Sequence, residues 1–221
     1  VAELPPSFLE FLEFIQQLAA SRLTLTPFRP STLRRVAALD VAYTGNKARC
    51  GAILYDLEGE GLAECLQLEE DILFPYIPTF LFIREAPLMV KALRGLKTRP
   101  ELILVDGHGA LHPRRAGLAT FIGLATDRPT LGVAKRLLVG RLQEDQEQGS
   151  LTPVELEGRC WGYRLRAGGR RPLYLSPGNR LRPEDIPSLV QEVGEERLYR
   201  LVQLADRVSR SSYPLKKLGC P

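Results

Sequence analysis

Arg35-Val-Ala-Ala-Leu-Asp-Val41 opens the stretch of sequence that decides the fold. Two more strand-like runs follow it, Cys50 to Leu57 and Leu62 to Leu68, separated by the turn-formers Thr44-Gly45-Asn46 and Glu58-Gly59-Glu60-Gly61. Glycine and asparagine supply the backbone conformations a tight reversal needs, so the three runs predict an antiparallel meander. The period then changes. A helix-compatible stretch from Phe80 to Leu96 precedes the apolar run Glu101 to Val105, a second helix over Ala116 to Ala125, and a strand from Thr130 to Ala134. Three strands followed by alternating helix and strand predict an α/β domain, a mixed sheet of antiparallel meander and parallel strands flanked by helices.

Working outward, Phe8, Phe11, Leu12, Ile15, Leu18 and Ala19 recur at helical spacing behind Ser7, which is placed to cap an amphipathic opening helix. On the other side, Glu144 to Gln148 reads as a solvated loop, and Cys160 to Leu165 with Pro172 to Leu175 as a late hairpin. Two closing helices are expected, one opening near Pro183 and one over Leu198 to Val208. From about residue 209 the chain reads as a flexible tail that offers Lys216 and Lys217 to solvent or phosphate. No repeat or linker interrupts the 221 residues, which suits a single catalytic domain over 1–221.

A net charge of +4 suits a polyanionic partner, and Arg164, Arg166, Arg170, Arg171, Arg180 and Arg182 crowd one region where they are expected to hold a phosphate backbone. The four cysteines, Cys50, Cys65, Cys160 and Cys220, lack any paired spacing and any ligand-like histidine, so they read as reduced thiols. With no secretory-type start and no apolar run of membrane-spanning length, the expectation is a cytoplasmic, monomeric protein with no membrane partner.

Chemistry concentrates at strand ends. Asp40 follows the apolar Val36-Ala-Ala-Leu39, and Asp106 follows Leu102-Ile-Leu-Val105 just before Gly107-His-Gly109. An ionised carboxylate against a hydrophobic sheet is costly unless paired or bound to a cation. The plainer reading is a capping or turn aspartate, which serves Asp106 better than Asp40. Glu85, in Phe82-Ile-Arg-Glu-Ala-Pro87, reads equally as an ion pair with Arg84 or as a solvated helix face. Should the fold gather these acids, hard oxygen donors would select Mg²⁺ or Mn²⁺ and suit phosphodiester hydrolysis. Lys135, ending Thr130 to Ala134, is placed to neutralise phosphate or simply to be solvated. Tyr76, held between Pro75 and Pro78, is a stiff aromatic turn that serves either as core packing or as a wedge into a base stack.

Four ordered motifs make the sequence specific: Leu39-Asp-Val-Ala-Tyr43, Pro75-Tyr-Ile-Pro78 with Arg84-Glu-Ala-Pro87, Val105-Asp-Gly-His-Gly109 with His112-Pro-Arg-Arg115, and Gly132-Val-Ala-Lys135. Together they resemble the endonuclease V family, strongly from Asp40 to Lys135 and more weakly through Tyr174 to Arg180 and Leu204 to Asp206. The resemblance implies an RNase H-like fold and a Mg²⁺-dependent DNA repair endonuclease, with Mn²⁺ as substitute. Its substrate would be DNA carrying deaminated bases, chiefly deoxyinosine. The second phosphodiester bond 3′ to the lesion would be hydrolysed, leaving 3′-hydroxyl and 5′-phosphate ends. It further implies Asp40, Glu85 and Asp106 as metal-organising acids, Lys135 at the phosphate and Asp206 near the metal. Pro75, Tyr76, Ile77 and Pro78 would be the strand-separating wedge, and Thr79, Leu81, Gly107, Gly109, His112 and Gly132 the base pocket. Thr79 departs from the family's glycine. An inosine-specific ribonuclease on the same fold and a non-catalytic lesion binder are the competing expectations, separable by matched deoxyinosine and inosine strands.

Overall fold

The computed structural model describes residues 4–221 except 73, 148 and 213; the side chain of Lys217, expected to be available to phosphate, lies outside the described residues. The meander forms as β1 (Arg35–Thr44), β2 (Lys47–Asp56) and β3 (Gly61–Asp71), each paired antiparallel with the next. The helix α2 (Leu81–Gly95), β4 (Leu102–Asp106), α3 (Leu118–Thr126) and β5 (Thr130–Ala134) continue the chain, and β4 lies parallel to both β1 and β5. Four further strands, β6 (Arg141–Leu142), β7 (Leu151–Leu156), β8 (Arg159–Leu165) and β9 (Leu173–Asn179), extend the sheet antiparallel from β5. The strand order is β3-β2-β1-β4-β5-β9-β8-β7-β6. The expected mixed α/β sheet is therefore present. The late hairpin is β8 with β9, whereas β6 and β7 carried no sequence signal strong enough to mark them.

Strand alternation divides the core in two. Val36, Ala38, Leu102, Leu104, Leu131 and Val133 pack against the closing helices α4 (Ile186–Val193) and α5 (Glu195–Arg210). Ala37, Leu39, Ile103 and Val105 face the other layer, built by α2, α3 and the opening helix α1 (Pro6–Ser21). Because side chains alternate faces along a strand, Asp40, Asp106 and Lys135 share the parity of the α4/α5 side.

Three expectations need correction. Ser7 lies inside α1, whose N-cap position is Pro5 with no side-chain cap, and the buried face of that helix is Leu12, Gln16 and Ala19. Phe8, Phe11, Phe14 and Leu18 are exposed instead. The cysteines are not all free: Cys65 on β3 forms a disulfide with Cys220, leaving Cys50 and Cys160 as thiols. A sequence separation of 155 residues hid that pairing. The segment from 209 continues α5 to Arg210, adds a 3-10 turn over Leu215–Leu218 and buries Cys220 against the α5 side of the core. No helix among the described residues is long and apolar enough to cross a membrane.

Candidate active site

Register and parity bring the acids together. Leu39 pairs with Val105 and Asp106 with Val133, so Asp106, the last residue of β4, lies beside Asp40, with Lys135 two residues beyond Val133; Asp40 is not at a strand end as expected but inside β1, just past its parallel pairing with β4. Asp106 Oδ2 accepts a hydrogen bond from Lys135 Nζ at 2.5 Å. Asp40 is 6% exposed, and its Oδ2 lies 2.8 Å from the hydroxyl of Ser209, a fully buried residue of α5. That approach depends on Gly51, the β2 partner of Asp40: a Cβ there would sit 2.4 Å from Ser209 N and 2.5 Å from Ala205 O. Glu85 comes from α2 and is equally buried; its Oε1 accepts from Tyr43 Oη at 2.7 Å, and Arg84 stacks over the Tyr43 ring.

Burial and like charge act together on these acids. Burial, then the charge of Asp106, pushes Asp40 up to about 7 in spite of the Ser209 hydrogen bond. Burial pushes Glu85 up to about 8 against the opposing Tyr43 hydrogen bond, with Asp40 and Asp106 adding repulsion. Burial pulls Lys135 down, but the hydrogen bond and charge of Asp106 outweigh it and its pKa ends raised. Asp206 acts on Asp40 and Lys135 through its charge and pairs with Arg210 Nε at 2.8 Å. Among the described residues, no three acid, cysteine or histidine side chains are gathered as a ready-made metal-binding group. Asp40, Glu85 and Asp106 act on one another through their charges, while each is tethered to its own partner, Ser209, Tyr43 or Lys135.

Beside Asp106 lies a cavity of about 320 Å³ whose walls include Tyr76, Pro78, Thr79, Leu81, Gly107, His112 and Lys135. Tyr76 is 67% exposed at the tip of its turn, not packed in the core. Gly109 and Gly132 do not line the cavity. Their backbones pack on each other and on Pro177, where a Cβ at either would meet backbone atoms within 2.4 Å. Gly107 does line it, with a φ of 156° that a side chain rarely adopts. His112 is buried, and that burial brings it down to about 4; its Nδ1 accepts from the Arg114 amide, so Nε2 carries the proton and donates to the Thr79 carbonyl at 3.0 Å.

A second cavity of about 580 Å³ shares Lys135 and Arg136 with the first and adds Arg170, Arg171, Tyr199 and Asp206. The arginine-rich region is largely committed within the protein, and Arg170 itself pairs with Glu196 and stacks over Tyr199. Arg164 is buried against Thr152 and Glu144, Arg180 pairs with Asp127, and Arg182 with Asp185. Sequence reasoning missed Ser209 and Gln16, each a polar residue on a helix with no local signal of its role. Tyr43 stood inside a motif without an assigned task.

The family model described as Endonuclease V matches residues 17–207 of this chain. Endonuclease V of Sulfurisphaera tokodaii is 38% identical over 202 residues, covering 91% of this chain and 94% of its own length. Among solved structures, the catalytic domain of human Endonuclease V has a TM-score of 0.83 at 29% identity, covering 99% of this chain and 100% of that one. Endonuclease V of Ciona intestinalis, solved with a 24mer DNA containing an inosine followed by a ribo-adenosine, has a TM-score of 0.82 at 20% identity and covers 97% of this chain and 100% of its own. That last likeness speaks to the fold.

Proposed function

The chain belongs to the endonuclease V family, and from that premise we propose that it incises DNA at deaminated adenine, hydrolysing the second phosphodiester bond 3′ to a deoxyinosine. The products carry 3′-hydroxyl and 5′-phosphate ends. The observation that carries this reading is the pair Asp40 and Asp106, side by side where the parallel pairing of β1 and β4 ends, with Lys135 at Asp106 and a base-sized cavity opening against Asp106 and Lys135.

The donor set fits a hard divalent cation, Mg²⁺ with Mn²⁺ as substitute: Asp40, Glu85 and Asp106 offer only oxygen, and burial, with repulsion among the acids adding to it, holds Asp40 and Glu85 above the usual carboxylate range. Bound there, such an ion would acidify the attacking water and offset charge on phosphorus. Around it the protein's own groups do the positioning. Ser209 orients Asp40, Tyr43 orients Glu85, and Lys135 stands where it holds Asp106 and can meet a phosphate oxygen. Asp206 is the fourth acid on this side, tied to Arg210. The exposed Tyr76 fills the stack vacated by the lesion, and the base enters the cavity walled by Thr79, Leu81, Gly107 and His112. Lys135, Arg136, Arg170 and Arg171 carry the strand onward through the adjoining basic cavity.

The test is incision of an end-labelled duplex bearing one deoxyinosine, with Mg²⁺, with EDTA, and with Asp106→Ala. A cut on the 3′ side that needs the metal and is lost in the variant is the expected result. Cutting only unmodified strands would replace this reading with a general nuclease. Binding without cutting under any metal would replace it with a lesion binder, and preference for a matched inosine RNA would move the substrate class.

A further inference from the structure

Directly after the Tyr76 turn, Thr79 adopts a φ of 71°, a left-handed backbone that a β-branched residue avoids. Such a conformation persists only where surrounding contacts over-determine it, and here three side chains do so. The Thr79 carbonyl accepts from Gln16 Nε2 at 2.7 Å and from His112 Nε2 at 3.0 Å, using both its lone pairs. The Thr79 hydroxyl accepts from Arg114 Nη2 at 2.7 Å, so this side chain is engaged with Arg114. Arg114 is itself fixed: its Nε donates to Gln16 Oε1 at 2.6 Å, its Nη1 reaches Glu13, and its guanidinium stacks over Phe80. Gln16 is the hub. It is fully buried on α1, and its second amide hydrogen goes to the Ala116 carbonyl at 3.1 Å. One amide thus joins three separate segments: α1, the end of the aromatic turn, and the loop behind the cavity. Gln16 and Glu13 precede the residues matched by the family model, which begin at 17.

We propose that Gln16, Arg114 and Thr79 form a clasp that holds the Pro75–Pro78 turn stiff, and that the clasp determines how well the protein opens a duplex rather than how fast it cuts an accessible strand. A wedge separates stacked bases only if its own base does not yield, because a turn that gives way returns the unstacking energy to the duplex. Gln16 and Arg114 are positioning residues, neither of which lines the base cavity; Thr79, which does, is left unchanged in the test. The proposal rests on the incision reading above.

The experiment compares kcat/KM for deoxyinosine in a duplex and in a single strand, using wild type, Gln16→Met, Arg114→Met and the double variant. Each single variant is expected to lose about tenfold on the duplex, the equivalent of one or two ordinary hydrogen bonds, and much less on the single strand. The double variant should lose less than the product of the two, since both act through one clasp. General destabilisation would lower both substrates in parallel, and that outcome, or an unchanged ratio, overturns the proposal. Arg114→Met leaves the bonds from Gln16 to the Thr79 and Ala116 carbonyls in place, so the comparison survives if Gln16→Met folds poorly. If wild type cuts neither substrate, the incision reading fails by itself. Amide exchange over residues 76–82 then decides the clasp: faster exchange in Gln16→Met than in wild type retains it as a stiffening device, and equal exchange removes it.

Discussion

Asp40 shows how one residue can be unfavourable to the fold and necessary to the site. Its carboxyl is pushed from an ordinary 3.8 to about 7, chiefly by burial. The folded state therefore holds the proton more tightly than the unfolded chain, and stability is lost as pH rises from about 4 to 7. Above that window the buried charge is a standing cost. Asp40→Asn, which keeps an acceptor for Ser209, should raise the unfolding free energy at pH 8 by about 1–3 kcal/mol in EDTA while abolishing incision. Urea unfolding of both proteins checks the first half, and a less stable variant would contradict it. His112 has the opposite sign. Its pKa falls to about 4 from 6.5, so the unfolded chain takes up the proton first and stability is lost as pH falls through that interval. Relative to His112→Asn, wild type should lose about 2–3 kcal/mol between pH 7 and pH 4; parallel stability curves would mean that the ring is not held neutral.

At the scale of elements, the approach of α5 to the sheet sets the site. Gly51 has no side chain because the α5 backbone at Ala205 and Ser209 occupies that space. Gly51→Ala must push the helix outward, taking Ser209 and Asp206 with it. The expected result is a loss of about 1–3 kcal/mol in stability and about a hundredfold in kcat, the cost of displacing groups at the chemistry by roughly an ångström. Measured kcat equal to wild type would show that α5 only covers the sheet. The opening helix teaches a related lesson. Its 3.6-residue period was legible, but the buried stripe runs through Gln16, a polar residue that periodicity assigns to no face, and leaves Phe11, Phe14 and Leu18 outside.

Across the whole molecule, the disulfide between Cys65 and Cys220 ties the last turn of chain to β3, the edge strand of the sheet. Leu215 and Leu218 pack beneath it against the α4/α5 core. Closing so long a loop restricts the unfolded chain, so Cys220→Ser or full reduction should lower stability by about 2–5 kcal/mol. Thiol titration of the unfolded, unreduced protein should count two free thiols, Cys50 and Cys160. Four thiols, with no effect of reductant on unfolding, would mean that the bond does not form.

Local chemistry made much of this readable in the chain. Alternation and turn residues identified the meander, β4 and β5, because strand period is a property of neighbouring residues, whereas Glu85 and Lys135 read locally as ordinary solvated groups and only the resemblance to the family singled out Asp40, Glu85, Asp106 and Lys135 together. What the tertiary structure alone decided is which distant groups meet. Ser209 lies 169 positions from Asp40, and Gln16 lies 63 from Thr79 and 98 from Arg114. Cys220 bonds Cys65 across 155 positions. No local pattern encodes such pairs, since they are set by how helices seat on the sheet, where a missing Cβ at Gly51 or a buried amide at Gln16 fixes distances that sequence spacing leaves free.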